Sequence, residues 1–332
     1  MKPRVYVIGT GGSISCIGES RLDLLNYNYA DKHFTIDEML ARVPEANGIA
    51  EIRAEQFTNV YGGDLGPADW LTLAKRINAI FGSDSAAAGV VVTHGTATLE
   101  ETAYFLNLTV KSQKPVVVTG AMRPPTGLST DADINLYDAV RVAASPDAVN
   151  RGVLVVLNNE IQAARDVKKT NTARVETFKS GELGFLGYAD SDGQVVFLRS
   201  TDRTHTAASE FDVAKLDALP RVDIALAYAG ADGAVVDALA DAGAKGIVSS
   251  GLGSGSAPRA FLSALVEARK RGICIVAASQ TGNGRVMARR ALIERGFAVA
   301  DNLAPKKARI LLMLALAKTG DVEAIQRMTL KY

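Results

Sequence analysis

Cysteine, histidine and tryptophan are all scarce in this chain: two, three and one, respectively, in 332 residues. Cys16 and Cys274 lie far apart and form no metal-spaced pair. One disulfide is arithmetically possible, but two isolated cysteines fit a reducing compartment better than a stapled secreted scaffold. Three scattered histidines give a zinc cluster or a Ser-His-Asp triad only by arbitrary assembly. No apolar stretch approaches the roughly 18 residues that a membrane-crossing helix needs. The N-terminal run Val5-Tyr6-Val7-Ile8-Gly9 is too short for a signal-peptide core and lacks a cleavage site. Neither sign of charge dominates, and a formal net charge of +1 offers no general attraction for nucleic acid or membranes. A cytoplasmic protein with neither of those partners is expected.

What the chain has in quantity is apolar residues, 48% against 22% charged, which is enough for a large core. Its length exceeds the roughly 100–200 residues of one domain. Short Val/Ile/Leu runs recur at 4–8, 89–93, 115–119, 152–157, 223–228, 246–249 and 272–277. Segments of helical period fall between them at 67–81, 99–108, 134–144, 234–242 and 259–269. Near-continuous apolar strands belong to sheets covered on both faces, and their alternation with helices predicts an α/β fold with mainly parallel sheets. A polar, aperiodic stretch from Leu198 to Thr206, with Pro220 beyond it, divides the chain. The expectation is a larger N-terminal α/β domain over 1–196, a linker over 197–218, and a smaller parallel-sheet domain over 219–332.

Ligands of open α/β sheets bind beyond the carboxyl ends of strands, so the turns that follow strands are the places to look. Gly9-Thr10-Gly11-Gly12-Ser13-Ile14 follows the first run. Its glycines allow a sharp turn that exposes Thr10 at the strand end, although a tight turn with a helix-capping threonine fits equally well. The segment has no P-loop lysine and does not match G-x-G-x-x-G. In Thr93-His94-Gly95-Thr96-Ala97-Thr98, Thr96 stands at a strand-to-helix turn whose free N–H groups favour developing negative charge. His94 reads either as a general base or as a structural histidine in that turn. Thr119–Pro125 carries Arg123, with Asp131 and Asn135 downstream, and suits a loop-holding role. Arg165-Asp166-Val167-Lys168-Lys169-Thr170-Asn171-Thr172 reads as a solvated loop unless a lysine is desolvated enough to act as a base.

Taken in order, these segments resemble the bacterial-type asparaginase family. Its T-G-G-T-I, V-T-H-G-T-D-T-x-E-E-T-A, G-A-M-R-P and R-D-V-x-K-T-x-T signatures correspond to Thr10–Ile14, Thr93–Ala103, Gly120–Pro124 and Arg165–Thr172. Asn302-Leu303-Ala304-Pro305-Lys306-Lys307-Ala308-Arg309 also matches in register, so the resemblance spans nearly the whole chain. It implies a two-domain α/β amidohydrolase without metal or cofactor, acting on a small-molecule amide. It also implies a homotetramer of intimate dimers whose active sites are completed by the neighbouring subunit. By motif position it makes Thr10 the nucleophile, Tyr29 its partner on the following loop, and Thr96 with Lys169 the second catalytic pair. An acyl-threonine intermediate follows from that assignment.

The departures from the family pattern concern recognition of the substrate's α-amino acid head. The aspartate of H-G-T-D-T is Ala97, a polar pair is replaced by Gly62-Gly63, the neighbour-subunit glutamate falls on Arg289, and the G-N-G-N turn has become Gly253-Ser254-Gly255-Ser256. An ammonium stripped of such partners forfeits about 1–3 kcal/mol per charged hydrogen bond. The expected substrate therefore lacks a free α-ammonium, with room supplied by Gly62 and Gly63, and with Ala97, Ser256 and Arg289 among its contacts. Ordinary L-asparaginase activity, or a catalytically impaired binding protein of the same fold, are the alternatives. An amidotransferase subunit shares the motifs, but the near-neutral charge gives no support for tRNA binding.

Overall fold

Runs such as Val90-Val91-Val92 and Val116-Val117-Val118 have no polar face to offer water, and they form the centre of a sheet covered on both sides. The computed structural model describes residues 2–27 and 32–332. The chain divides into two compact units, Met1–Ala214 and Lys215–Tyr332.

In the first unit, β1 (Arg4–Gly11), β2 (Glu51–Val60), β3 (Ala87–Thr93), β4 (Val116–Thr119) and β5 (Val153–Leu157) pair in parallel in the order β2-β1-β3-β4-β5. β6 (Glu160–Ala163), β9 (Gly187–Ala189) and β10 (Val195–Phe197) extend the sheet antiparallel beyond β5. A separate two-stranded ribbon joins β7 (Lys168–Lys169) to β8 (Phe178–Lys179). β2 escapes a search for apolar runs because it is an edge strand, half exposed, reading Glu51-Ile52-Arg53-Ala54-Glu55. Charged side chains on such an edge discourage pairing with another chain.

Between these strands run α1 (Ile36–Ala41), α2 (Ala46–Ile49), α3 (Pro67–Ser83), α4 (Leu99–Thr109) and α5 (Ala132–Ala144). The start of α1 is set by Thr35, whose hydroxyl accepts from Glu38 N–H while the Glu38 carboxylate accepts from Thr35 N–H. Pro67 opens α3, where its missing N–H costs nothing. Val5, Val7, Val91, Val117 and Leu154 of the sheet pack with Leu136 and Val140 of α5 in one core. Phe211 and Val213, near the end of the unit, are also buried.

The second unit is a four-stranded, all-parallel sheet: β11 (Val222–Leu226), β12 (Gly246–Gly251), β13 (Cys274–Ser279) and β14 (Ala298–Val299). Its connections are α6 (Ala234–Asp241), α7 (Arg259–Lys270), α8 (Arg290–Ile293), α9 (Pro305–Leu316) and the final α10 (Val322–Lys331). Phe261 and Leu265 of α7, at helical spacing, pack with Ile247 and Ile275 of the sheet. Both cysteines are buried thiols outside any disulfide, and no described helix is long and apolar enough to cross a membrane.

The order β2-β1-β3 places successive strands on opposite sides of β1. A crevice opens at such a switch point, at the carboxyl ends of the strands.

Candidate active site

β1 and β3 end side by side at this crevice, and the turn after β1 is shaped by two left-handed glycines. Gly11 has φ +102° and Gly12 φ +88°, a region that costs glycine little. A Cβ on Gly12 would lie 2.1 Å from Gly95 Cα, so the turns after β1 and β3 touch backbone to backbone.

Thr10, the nucleophile that the motif position singles out, is not on the crevice wall. Its side chain is 2% exposed and its hydroxyl donates to Thr93 O at 2.7 Å, tying the end of β1 to the end of β3. A hydroxyl so placed cannot meet a substrate without breaking that tie. Three residues on, beyond the Gly-Gly turn, Ser13 is part-exposed and lines a cleft of about 370 Å³. The Tyr27 hydroxyl donates to Ser13 Oγ at 3.2 Å, and burial pushes its phenol above the ordinary range, partly offset by that hydrogen bond. Sequence reasoning missed both residues. Only the left-handed conformation of Gly11 and Gly12, which the sequence permits but does not specify, turns the fourth position of this motif outward. Tyr29 lies outside the described residues.

The opposite wall carries the other expected pair. Lys169 Nζ, on the β7–β8 ribbon, donates to Thr96 Oγ1 at 2.7 Å. With that lone pair engaged, the Thr96 hydroxyl hydrogen is left to point at a ligand. The backbone N–H groups of Ser13, Thr96 and Ala97 donate to no described protein group. The turn is fixed from behind by Thr98 Oγ1 donating to Gly62 O at 2.5 Å.

His94 lies deeper, 0% exposed. Its Nδ1 is 2.8 Å from Gly95 O, an acceptor, so Nδ1 carries the proton and Nε2 accepts from Thr102 Oγ1 at 2.8 Å. Burial lowers its pKa to about 4. This neutral ring holds the turn and does not reach the cleft. Asp131 accepts from Met122 N and Arg123 N, both at 2.9 Å, and Arg123 Nη1 donates to Ser129 O, so the 120–124 turn is likewise braced by its own neighbours.

Charge on the cleft wall is one-sided. Among the described residues that line it there is no aspartate or glutamate, whereas Arg123 and Lys169 are cationic. Leu24, Leu25, Tyr61 and Met122 supply apolar surface. Ala97 is exposed there. Gly62 also lines the cleft but creates no room: a Cβ in its place would sit 2.7 Å from Gly95 Cα, so Gly95 already fills that space. Gly63 is no part of the described wall, and its missing Cβ faces only the Tyr61 ring, at 3.0 Å. The expectation of extra space from this pair is therefore overturned. Ser256 and Arg289 belong to the second unit, where both border one pocket of about 220 Å³.

The model of the family described as asparaginase, N-terminal, matches residues 4–203, and that of the glutaminase/asparaginase C-terminal domain matches 221–328. L-asparaginase 2 of Bacillus subtilis is 44% identical over 98% of this chain and 85% of its own length. L-asparaginase 2 of Escherichia coli is 42% identical over 99% and 93%, respectively. The crystal structure of a probable cytoplasmic L-asparaginase from Campylobacter jejuni superposes over the whole of both chains, with a TM-score of 0.92 and 42% identity. Two matched domains in order, on a shared fold and at this level of identity, identify the chain as a member of the asparaginase family of amide hydrolases.

Proposed function

We propose that the chain hydrolyses a small-molecule amide that carries no free α-ammonium group, with Ser13 as nucleophile. The observation that carries this reading is one cleft holding the Ser13 hydroxyl and the Lys169–Thr96 pair, lined by cations and by no described carboxylate. A serine hydroxyl attacks poorly until its proton is removed. Tyr27 donates to that hydroxyl at rest; turned to accept, its phenolic oxygen takes the Ser13 proton while its own proton passes on towards the departing nitrogen. The Thr96 hydroxyl and the unpaired Thr96 and Ala97 N–H groups stabilise the tetrahedral oxyanion, a contribution worth about 3–4 kcal/mol per donor in comparable sites. The carbon–nitrogen bond breaks, the protonated nitrogen leaves as ammonia or an amine, and water hydrolyses the acyl-serine.

Specificity follows from charge. Asparagine brings an ammonium that needs a carboxylate partner, and Ala97 offers none. Ser256 and Arg289 are assigned to substrate contact by the resemblance, and a cation at 289 opposes an ammonium too. The homotetrameric state and the cytoplasmic location belong to the same proposal. The buried thiols Cys16 and Cys274, not joined in a disulfide, favour the latter, while sedimentation analysis and cell fractionation test the two.

Trapping with a slowly deacylated amide, followed by peptide mass spectrometry, tests the mechanism. An adduct on Ser13, absent in Ser13→Ala, is the expected result; an adduct on Thr10 or Thr96 overturns the assignment. Ammonia release from amides with and without an α-amino group tests specificity, and brisk turnover of millimolar asparagine sinks that part. Thr10→Ala separates the roles: it is expected to lower stability while leaving adduct formation in place.

A further inference from the structure

Behind the turn that presents Ser13 lies a polar cluster that the chemistry of the cleft leaves unexplained. Cys16 and His33 form an antiparallel bridge, flanked by Ile17 N donating to Lys32 O at 2.9 Å and Phe34 N donating to Ser15 O at 2.7 Å. This clasp holds the half-buried His33 ring against the buried Ser15. Three groups surround Ser15 Oγ: Gly12 O at 2.9 Å, Asn59 Oδ1 at 3.0 Å and His33 Nδ1 at 3.2 Å. Asn59 Nδ2 donates to Phe34 O at 3.0 Å, which leaves Oδ1 as the atom facing Ser15. A hydroxyl has one hydrogen, and two of these three neighbours can only accept. The third must therefore donate: His33 carries a proton on Nδ1 and gives it to Ser15 Oγ. The Ser15 hydrogen is then left for Gly12 O and Asn59 Oδ1. Gly12 O also accepts from Ser15 N at 2.9 Å and from Cys16 Sγ at 3.4 Å.

We infer that His33 is a positioning residue for the nucleophile, acting through Ser15 on the Gly12–Ser13 peptide. A trans peptide points its C=O and N–H in opposite directions, and no cis bond occurs among the described residues. Pinning Gly12 O to the rear cluster therefore turns the Ser13 N–H away from that cluster, and this N–H donates to no described protein group. The same constraint fixes the Cα from which the Ser13 side chain reaches the cleft wall. Gly11 and Gly12 bring no stiffness of their own, since a residue without Cβ leaves the backbone many orientations. The orientation of this peptide depends on its partners, and His33 sets the hydroxyl that is one of them. The inference rests on Ser13 being the nucleophile.

Acylation of the full-length protein by p-nitrophenyl acetate tests it: nitrophenolate release gives the rate and its saturation, and peptide mapping gives the acetylated residue. His33→Asn and His33→Gln are the decisive pair. The asparagine amide keeps a donor where Nδ1 stood, whereas glutamine carries its amide one bond further out. His33→Asn is expected to acylate at close to the parental rate. His33→Gln should be slower at saturation by about tenfold or more, with the half-saturating concentration unchanged, since a misplacement of about 1 Å can cost roughly 100-fold. Added to Ser15→Ala, His33→Gln should lose nothing further, because the histidine works through that hydroxyl. Equal rates in all three proteins overturn the inference. Equal losses in His33→Asn and His33→Gln also overturn it, because they mark a merely structural residue, and so do losses that multiply in the double variant. In each of these cases acetyl-Ser13 in the parent leaves the nucleophile assignment standing. A parent acetylated on Thr10 or Thr96, or not on Ser13 at all, overturns that assignment and the inference with it.

Discussion

Restoring a side chain at position 62 is the sharpest test of how the crevice is built. In Gly62→Ser the new Cβ lies 2.7 Å from Gly95 Cα and 3.1 Å from Gly95 C and O, against the roughly 3.5–4.0 Å of ordinary carbon contact. Gly95 cannot retreat, because its far side meets Gly12, where a Cβ would stand only 2.1 Å from Gly95 Cα. Gly62 is not among the left-handed glycines, so the cost is steric and not conformational. Overpacking of this kind costs about 1–3 kcal/mol. At about 2–4 °C per kcal/mol for a unit of this size, the melting temperature should fall by roughly 2–12 °C. Turnover should fall too, since Gly62 O receives the Thr98 hydroxyl that holds the Thr96 turn. Gly63→Ser is the control: its Cβ meets only the ring of Tyr61, which is 55% exposed and free to swing aside. Its melt should stay within about 0.5 kcal/mol of the parent. Differential scanning calorimetry of the two variants decides the matter. A Gly62→Ser protein that melts with the parent, or a Gly63→Ser protein that falls as far, refutes the three-glycine contact.

Other outcomes follow from the same geometry. Ala97→Asp puts a carboxylate on a wall that has none, and should improve kcat/KM for asparagine by about tenfold or more, the worth of one charged hydrogen bond; unchanged kinetics would remove charge as the basis of specificity. Lys169→Met leaves the Thr96 hydroxyl without its donor and should lower kcat far more than it raises KM in steady-state assays; a change confined to KM would make the lysine a binding group only. His94 stays neutral in the fold because burial lowers its pKa to about 4 from an ordinary 6.5, whereas the unfolded ring takes up a proton below 6.5. Its contribution, about 3 kcal/mol, is therefore complete above 6.5 and is lost as the pH falls towards 4. Urea midpoints across that window should decline in the parent protein and flatten in His94→Gln; parallel slopes would place the acid sensitivity elsewhere.

The strands and helices with strong periodicity were legible in the residues, and so was their assembly into two α/β units. Edge strand β2 was not, since a half-exposed, charged strand carries no apolar signature. In the crevice, the four ordered motifs located Thr96 and Lys169, because a strand-end turn and a basic loop are local patterns. The structure separates two hydroxyls three residues apart: Thr10 is buried and tied to Thr93, whereas Ser13 lines the cleft. Thr10 and Ser13 both flank a Gly-Gly pair, and nothing local says which hydroxyl turns inward.

By itself, the order of residues determined the fold class and the family, because both are written in composition, period or motif. Only the tertiary structure decided which hydroxyl meets solvent, through the tie from Thr10 to Thr93 across two strands 83 residues apart. It also decided that Gly62 is a contact and not a space, since Gly95 arrives there from another strand. Both facts depend on backbones brought together from distant parts of the chain, which local sequence cannot encode.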